Sequence, residues 1–309
     1  MERTCGICGG RLALLHRGAG AIGPAAFAPS CHAVGAHADL YRCGACGTVH
    51  QPALPRGDAL LGLYRDMADP GYLDEEAGRR ATARRLLARL ERHVAPGRLL
   101  EAGCGHGLLL DEARRRGWAV TGLEPSAAAG GHARDVLGLD VRPEPLEALD
   151  PATTERCDAI VLVDVLEHLE DPVRALRVCA ALLAPGGALL VVTPDPSAPV
   201  ARLAGPRWWG FLPAHTHLIP RRTLRTLLAR EGLEPVDDTG LWRTFSLGYW
   251  TGGLGERSGA VGAALGRVRA TAPGRAPLTM SLGDERVLVA RRAAAVAAAS
   301  PAVAAAATG

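Results

Sequence analysis

Two short cysteine pairs carry the plainest chemistry in this sequence. Cys5-Gly-Ile-Cys8 and Cys43-Gly-Ala-Cys46 are each a C-x-x-C followed by glycine. That spacing lets two thiolates of one turn bind the same ion, and the glycine permits a turn whose N–H groups point at sulfur. Two such turns make a tetrahedral four-thiolate site. A structural Zn2+ ribbon is therefore expected over residues 1–50, with Cys5, Cys8, Cys43 and Cys46 as ligands. The alternative is four free or disulfide-bonded cysteines. A closed four-cysteine site leaves no open position for a substrate, so the metal would staple a small fold that has little core of its own. Cys31, His32 and His37 lie between the pairs and read as loop residues, with a second metal site as the alternative.

A second set of residues speaks of ligand binding. In LLEAGCGHG (99–107), Glu101 stands two residues before Gly103, and Gly103, Gly105 and Gly107 alternate after it. Glycine lets a turn approach a ligand closely. Another acid, Glu124, follows the apolar stretch that begins at Ala119. Asp164, Glu167 and His168 sit together in DVLEH, and His215 and His217 in AHTH. An imidazole can take a proton from a hydroxyl near neutral pH. Cys104 has no obvious partner base and fits the glycine loop as a small side chain.

The elements that must position these groups follow from periodicity. Strands are expected at Arg98–Glu101, Ala119–Glu124, Asp140–Arg142, Asp158–Asp164 and Ala188–Thr193, with later ones at Glu234–Thr239 and Arg286–Ala290. Helices are expected at Glu75–His93, Leu108–Arg116, Ser126–Leu137, Asp171–Leu183 and Arg221–Arg230, with Pro96-Gly97 closing the first. Such alternation means a doubly wound α/β fold, a mostly parallel sheet covered on both faces. In such sheets ligands bind beyond the carboxyl ends of the strands, which is where Glu101, the glycines and Glu124 fall. Residues 51–97 read as a linker and helical lid, 98–291 as the main domain with a lid insertion at about 196–280, and 292–309 as a disordered alanine-rich tail.

Composition narrows the classes. With 309 residues and 48% apolar content the chain can bury a full core. A net charge of +3 is too small to argue for nucleic acid. No apolar run has the length of a membrane span and the N-terminus shows no apolar signal core, so a cytoplasmic protein with no membrane partner is expected. No lysine occurs, which removes a P-loop lysine and Schiff-base chemistry. The dinucleotide fingerprint is G-x-G-x-x-G, whereas the pattern here is G-x-G-x-G, and a pyrophosphate would be repelled by Glu101. A ligand carrying a sulfonium and an ammonium would be welcome there, and S-adenosylmethionine (SAM) is one.

Together these motifs resemble the class I SAM-dependent methyltransferases of the bacterial small-molecule type, over roughly residues 55–291. LLEAGCGHG is similar to their first motif, VTGLEPS (120–126) to the second, CDAIVLVDVLEHLEDP (157–172) to the fourth strand and its exit, and APGGALLVVTPD (184–195) to the fifth strand. LPAHTHLIPRRTLRTLLAREGLEPV (212–236) resembles the histidine-containing segment of small-molecule members. The resemblance implies a Rossmann-like sheet of seven strands. It implies that SAM is held by Glu101, Ala102, Gly103, Gly105, His106, Gly107, Glu124 with Pro125, Glu144, Asp164 with Val165, and Tyr72, with Glu124 on the ribose hydroxyls. His217 matches the family's histidine and is the first candidate for a base, with His215 and His168 beside it; the alternatives are a loop histidine bonded to backbone at 217 and a packed, hydrogen-bonded pair at Glu167-His168. Zinc ribbons also occur in some members, including sugar C-methyltransferases.

Methyl transfer needs in-line alignment in a dry pocket, and a base only where the acceptor loses a proton. The aromatics Trp208, Trp209, Phe211, Trp242, Phe245, Tyr249 and Trp250 fall where a substrate lid would be built, so a small-molecule acceptor with a ring or an apolar body is expected; packing of the lid onto the core is the alternative. O-methylation of a secondary metabolite or sugar-containing compound is the first expectation. C- or N-methylation, a SAM-fold protein doing other chemistry such as cyclisation or decarboxylation, and a ribbon that docks a carrier-protein or other macromolecular substrate remain alternatives. Monomer and homodimer are both open.

Overall fold

The computed structural model describes residues 3–18, 37–255 and 273–294. Cys31, His32 and the last part of the alanine-rich tail lie outside them, as does part of the lid insertion. In chain order the strands are β1 (Leu12–His16), β2 (Leu40–Cys43), β3 (Val49–His50), β4 (Arg98–Ala102), β5 (Ala119–Leu123), β6 (Val141–Arg142), β7 (Cys157–Val163), β8 (Leu183–Pro194), β9 (His217–Leu218), β10 (Leu233–Gly240), β11 (Arg243–Ser246), β12 (Pro277–Met280) and β13 (Glu285–Arg292). The helices are α1 (Asp58–Arg65), α2 (Glu76–Leu90), α3 (Leu108–Arg115), α4 (Ala127–Asp135), α5 (Pro172–Leu182), α6 (Pro199–Ala204), α7 (Arg221–Arg230) and α8 (Leu247–Gly255).

Seven strands form the main sheet in the order β10-β13-β8-β7-β4-β5-β6. β13 runs antiparallel to both neighbours and the remaining pairs are parallel. The chain winds outward from β4 through β5 to β6, then returns to β7 on the other side of β4. Loops leaving β4 and β7 therefore diverge, and the crevice between them is the topological switch point where such sheets take ligands. β7 and β8 are near-continuous apolar runs because both faces are covered. One core face gathers Ile160, Leu162, Leu176, Leu189 and Leu228; the other gathers Leu86, Leu90, Leu110, Val161 and Leu190.

Caps fix where the helices begin. The Ser126 hydroxyl accepts the Ala129 N–H at 3.2 Å ahead of α4. The Asp171 carboxylate accepts the Arg174 N–H at 2.9 Å ahead of α5, and Pro172 supplies its first turn. α2 lays Thr82, Ala83, Leu86, Leu87 and Leu90 against the sheet layer and stops ahead of Pro96-Gly97.

A second sheet has the order β1-β2-β3-β9. Its first three strands come from the cysteine-bearing segment and the fourth from the AHTH loop, with His50 registered on His217. Among the described residues no helix is long and apolar enough to cross a membrane.

Candidate functional site

A cavity of about 1180 Å3 opens over the carboxyl ends of β4, β5 and β7. Its floor is the glycine loop. Gly103 has φ +67°, and a Cβ there would lie 2.5 Å from Val165 Cγ2, so only glycine lets the first turn pass beneath the exit of β7. Gly107 (φ +79°) does not reach the cavity. A Cβ on it would sit 2.7 Å from Leu139 Cδ1 and 2.9 Å from Ala133 Cβ, so it serves the packing of α3 against α4 rather than a ligand. Glu101, Ala102, Gly103, Gly105, His106, Glu124, Pro125, Glu144, Asp164, Val165 and Tyr72 all line the cavity.

The carboxylates are held in distinct ways. Glu124 Oε2 accepts the Gly105 N–H at 2.7 Å and Oε1 accepts the Ser126 N–H at 2.8 Å. Each oxygen keeps a further lone pair for a donor from the cavity. Glu101 is buried and its Oε2 has no partner. Burial, and after it the neighbouring Glu124 charge, push its carboxyl well above the usual range. An unsatisfied buried acceptor at the floor of a site is what an ammonium-bearing ligand would complete. Asp164 stands at φ +54° and gives both oxygens to Arg243 Nη2, at 2.7 and 2.6 Å. Arg243 is also gripped through Nε by Glu285, at 2.9 and 2.8 Å. Nothing near Asp164 in the sequence signals that it would share an arginine with Glu285 in this way.

Arg79 is equally unannounced, as one of several arginines on α2. Its guanidinium lies 3.7 Å from the Tyr72 ring centroid and lines the cavity, Nε donates to the Tyr72 carbonyl at 3.1 Å, and Nη2 is buried without a partner. Tyr72 stacks in turn on His106, with centroids 4.4 Å apart. Arg79 thus offers a fixed, unspent donor to an anionic group, as Glu101 offers an acceptor to a cationic one.

At the other end the three histidines part company. His168 and His215 line the cavity, their rings 4.8 Å apart. His168 Nδ1 lies 3.2 Å from the Ala214 carbonyl and 3.0 Å from the Tyr64 hydroxyl, and His215 Nδ1 lies 2.7 Å from the Gly210 carbonyl. A carbonyl only accepts, so both Nδ1 atoms carry hydrogen and both Nε2 atoms keep a lone pair. Glu167 joins them: Oε2 accepts the Thr193 hydroxyl at 3.0 Å, Oε1 is buried and unpartnered, and one ligand atom from each of the three residues falls within 4.8 Å of the others.

His217, by contrast, lies off the cavity. Nε2 donates to the Glu170 carbonyl at 3.0 Å and Nδ1 lies 2.9 Å from His50 Nδ1, so neither nitrogen is free to take a proton from a substrate. Its segment is strand β9 of the small sheet, which turns the side chain toward the cysteine-bearing segment. The histidine expected first as base is thus a structural one, and the cavity holds its two neighbours.

Burial lowers the His168 pKa to about 4; burial, and then the nearby His168 ring, lower that of His215 to about 3. Both are neutral in the fold, whereas in the unfolded chain they gain protons near pH 6.5. Between pH 6.5 and about 4 the unfolded state therefore binds more protons, and stability present above pH 6.5 is lost as pH falls through that window. At pH 5 the two rings should together cost about 4 kcal/mol relative to pH 7. Urea unfolding at the two pH values, compared with His215→Asn, checks this; an equal pH dependence in that variant would refute it.

The cysteines converge as their spacing predicts. Cys5 Sγ and Cys46 Sγ are 3.7 Å apart, and Cys8 Sγ and Cys43 Sγ 3.5 Å. Zn–S bonds of about 2.3 Å in a tetrahedron set sulfurs about 3.8 Å apart. The Ile7 N–H donates to Cys5 Sγ at 3.4 Å. The four sulfurs fit a metal ion.

The aromatics divide. Trp209, Phe245, Tyr249 and Trp250 line the cavity. Trp208 also reaches it, but is anchored with Trp209 by two indole N–H bonds to Asp284 Oδ2, each 2.6 Å. Trp242 stands apart, 57% exposed.

Residues 75–238 match the family model described as a methyltransferase domain, and the chain belongs to that family. Its sheet order and glycine-loop cavity are those of a class I SAM-dependent methyltransferase, and that is what the protein is. It is 34% identical over 186 residues to the ubiquinone biosynthesis O-methyltransferase of Cereibacter sphaeroides strain KD131, covering 56% of this chain and 74% of that one. To the like-named protein of Dinoroseobacter shibae it is 35% identical over 158 residues, covering 47% and 62%. Among solved structures it is similar to the N-methyltransferase NodS of Bradyrhizobium japonicum WM9 with S-adenosyl-L-homocysteine, at 20% identity, a TM-score of 0.48, and coverage of 75% of this chain and 96% of that one.

Proposed function

We propose that the protein methylates a hydroxyl oxygen of a small acceptor with an apolar or ring-bearing body, such as a secondary metabolite or a sugar-containing compound. The observation that carries the reading is the pairing of Glu124, doubly fixed by backbone N–H groups at the exit of β5, with a pair of neutral histidines on the β7 side of the same cavity. The ends are suited to different partners, one to a cofactor and one to an acceptor that must lose a proton. The names of the curated relatives favour oxygen as the acceptor atom.

SAM supplies a methyl group on an electrophilic sulfonium. Glu124 would accept the ribose hydroxyls, Glu101 would face the ammonium, and Arg79 Nη2 would donate to the carboxylate. Asp164, tied to Arg243, would stand in the wall between cofactor and acceptor. Glu144 borders the adenine end. An acceptor hydroxyl held beside these histidines would give its proton to His168 Nε2, whose ring is fixed by the Ala214 carbonyl and the Tyr64 hydroxyl. His168 is preferred over His215 because it is the more exposed of the two. Trp209, Phe245, Tyr249 and Trp250 shed water from the reacting atoms.

The test is incubation with SAM bearing a deuterated methyl group and a small-molecule extract. Label recovered on an oxygen supports the reading, and label on nitrogen or carbon replaces it with N- or C-methylation. SAM consumed without label transfer points to other chemistry. Arg79→Met should weaken SAM binding about tenfold, the loss of one charge-assisted bond; calorimetry that finds unchanged affinity removes Arg79 from the cofactor site.

The four cysteines are proposed to hold one structural Zn2+. Metal analysis should find about one zinc per chain, and Cys46→Ser should lose it and lower the Tm by several degrees. A zinc-free wild type with the same Tm would refute the site.

A further inference from the structure

The small sheet binds the cysteine-bearing ribbon to the loop that brings His215 into the cavity. Gln51, directly after β3, makes that join. It is 4% exposed, and its backbone and side-chain donors are all engaged. Its backbone N–H donates to the Thr216 carbonyl at 3.0 Å. Nε2 donates to the carbonyls of Leu212, at 2.8 Å, and His215, at 2.7 Å, while Oε1 accepts the Ala38 N–H at 2.9 Å. Two carbonyls that converge on one point need two hydrogens from one planar group, which a carboxamide provides.

The loop is clamped from its other side too. The Thr216 N–H donates to the Glu167 carbonyl at 2.8 Å, and its hydroxyl lies 2.9 Å from that carbonyl and 2.8 Å from the Leu169 carbonyl. Thr216 thereby joins the ribbon through its carbonyl and the turn carrying Glu167 and His168 through its donors. Among the described residues the cofactor end has no such tie. Glu124 and the glycine loop hang on β4, β5 and α3, and the cavity lining begins only at Gly57.

We infer that the ribbon is a positioning arm of the acceptor end of the cavity, and that Gln51 is the positioning residue through which it holds His215 against His168. This deepens the proposed function and rests on its division of the cavity into a cofactor end and an acceptor end. The ribbon's work is then done inside its own chain, through backbone carbonyls, and needs no docked macromolecule.

The experiment uses the full chain with two variants. Gln51→Leu keeps the bulk and removes all three side-chain bonds. Gln51→Glu keeps the acceptor for Ala38 but sets a carboxylate against the two carbonyls, and serves if the first variant fails to fold. Three quantities are measured: amide hydrogen exchange over residues 212–218, the ring nitrogen signals of His215, and calorimetric affinity for S-adenosylhomocysteine. Exchange should quicken at least tenfold. The single tautomer that the Gly210 carbonyl enforces on His215 should give way to a mixture. Affinity for S-adenosylhomocysteine should stay within twofold of wild type, and metal content should be unchanged. Unaltered exchange and ring signals would overturn the inference. So would cofactor affinity falling in step with the loop, since Gln51 would then support the fold at large. No measurement requires turnover, so a failure of the methyl-transfer reading would be seen separately, in the labelling experiment.

Discussion

Glu124→Ala should weaken SAM binding by about 100-fold or more while leaving the protein folded. A carboxylate that accepts two ribose hydroxyls forms charge-assisted bonds of about 1.5–3 kcal/mol each, and loss of both amounts to about two to four powers of ten in Kd. The side chain also accepts the Gly105 and Ser126 N–H groups, so the glycine loop should loosen. That effect is local, because α3 and α4 keep their buried faces. Calorimetry with S-adenosylhomocysteine measures the loss and circular dichroism monitors the fold. Affinity within threefold of wild type would take Glu124 out of the ribose site. Glu124→Gln should fall between, since it retains one acceptor oxygen but places an NH2 against a backbone donor.

His168→Gln should lower kcat by about 100- to 10,000-fold, the range over which a positioned base contributes, with SAM affinity within twofold. The pH profile separates a base from a packing residue. With its pKa lowered to about 4, His168 is neutral from pH 6 to 8, so the wild-type rate should be flat there and decline only as pH drops toward that value. The low value also limits the base: a weakly basic imidazole suits an acceptor whose hydroxyl is itself acidic, such as a phenol, better than an aliphatic alcohol. The variant should lose the acid limb along with the rate. A His168→Gln enzyme with near-wild-type turnover would refute the assignment, and His217→Ala, whose ring is spent between His50 and Glu170, is the natural control.

Those parts of the fold that rest on local pattern are legible in the amino-acid sequence itself. β4, the glycine loop and Glu124 follow from an apolar run, a glycine spacing and an acid at the next strand end, and the observed limits of β4 and β5 fall within a residue of the expected ones. β8 is an exception, running from Leu183 because Leu183 already pairs with Cys157, with Pro185-Gly186-Gly187 bulging out before the ladder resumes at Ala188. What local pattern misses depends on distant partners. His217 is misassigned by it because a two-residue strand, joined to another 167 positions away, has no periodicity of its own. Arg79 is one of several arginines in EEAGRRATARRLLAR, and only packing decides which faces the cavity. The half-buried group of Arg243, Asp164 and Glu285 brings together three elements that look polar and exposed in isolation. The lid aromatics are legible as a cluster, but their anchor Asp284 and the exposure of Trp242 are not.

The order in which the chain is synthesised gives the small sheet a particular history. Its first three strands are complete once residue 50 has left the ribosome, but the fourth arrives only with residues 217 and 218. Until then the outer edge of β3 carries unpaired backbone groups, an open invitation to strands of other nascent chains. Metal capture by the four cysteines would close the hairpin early without protecting that edge. A ribbon excised at residue 50 inherits the same exposed edge permanently. A unit that keeps this sheet closed when moved into another protein must extend from the first cysteine turn through β9, and so carries β4 to β8 of the SAM-binding sheet with it.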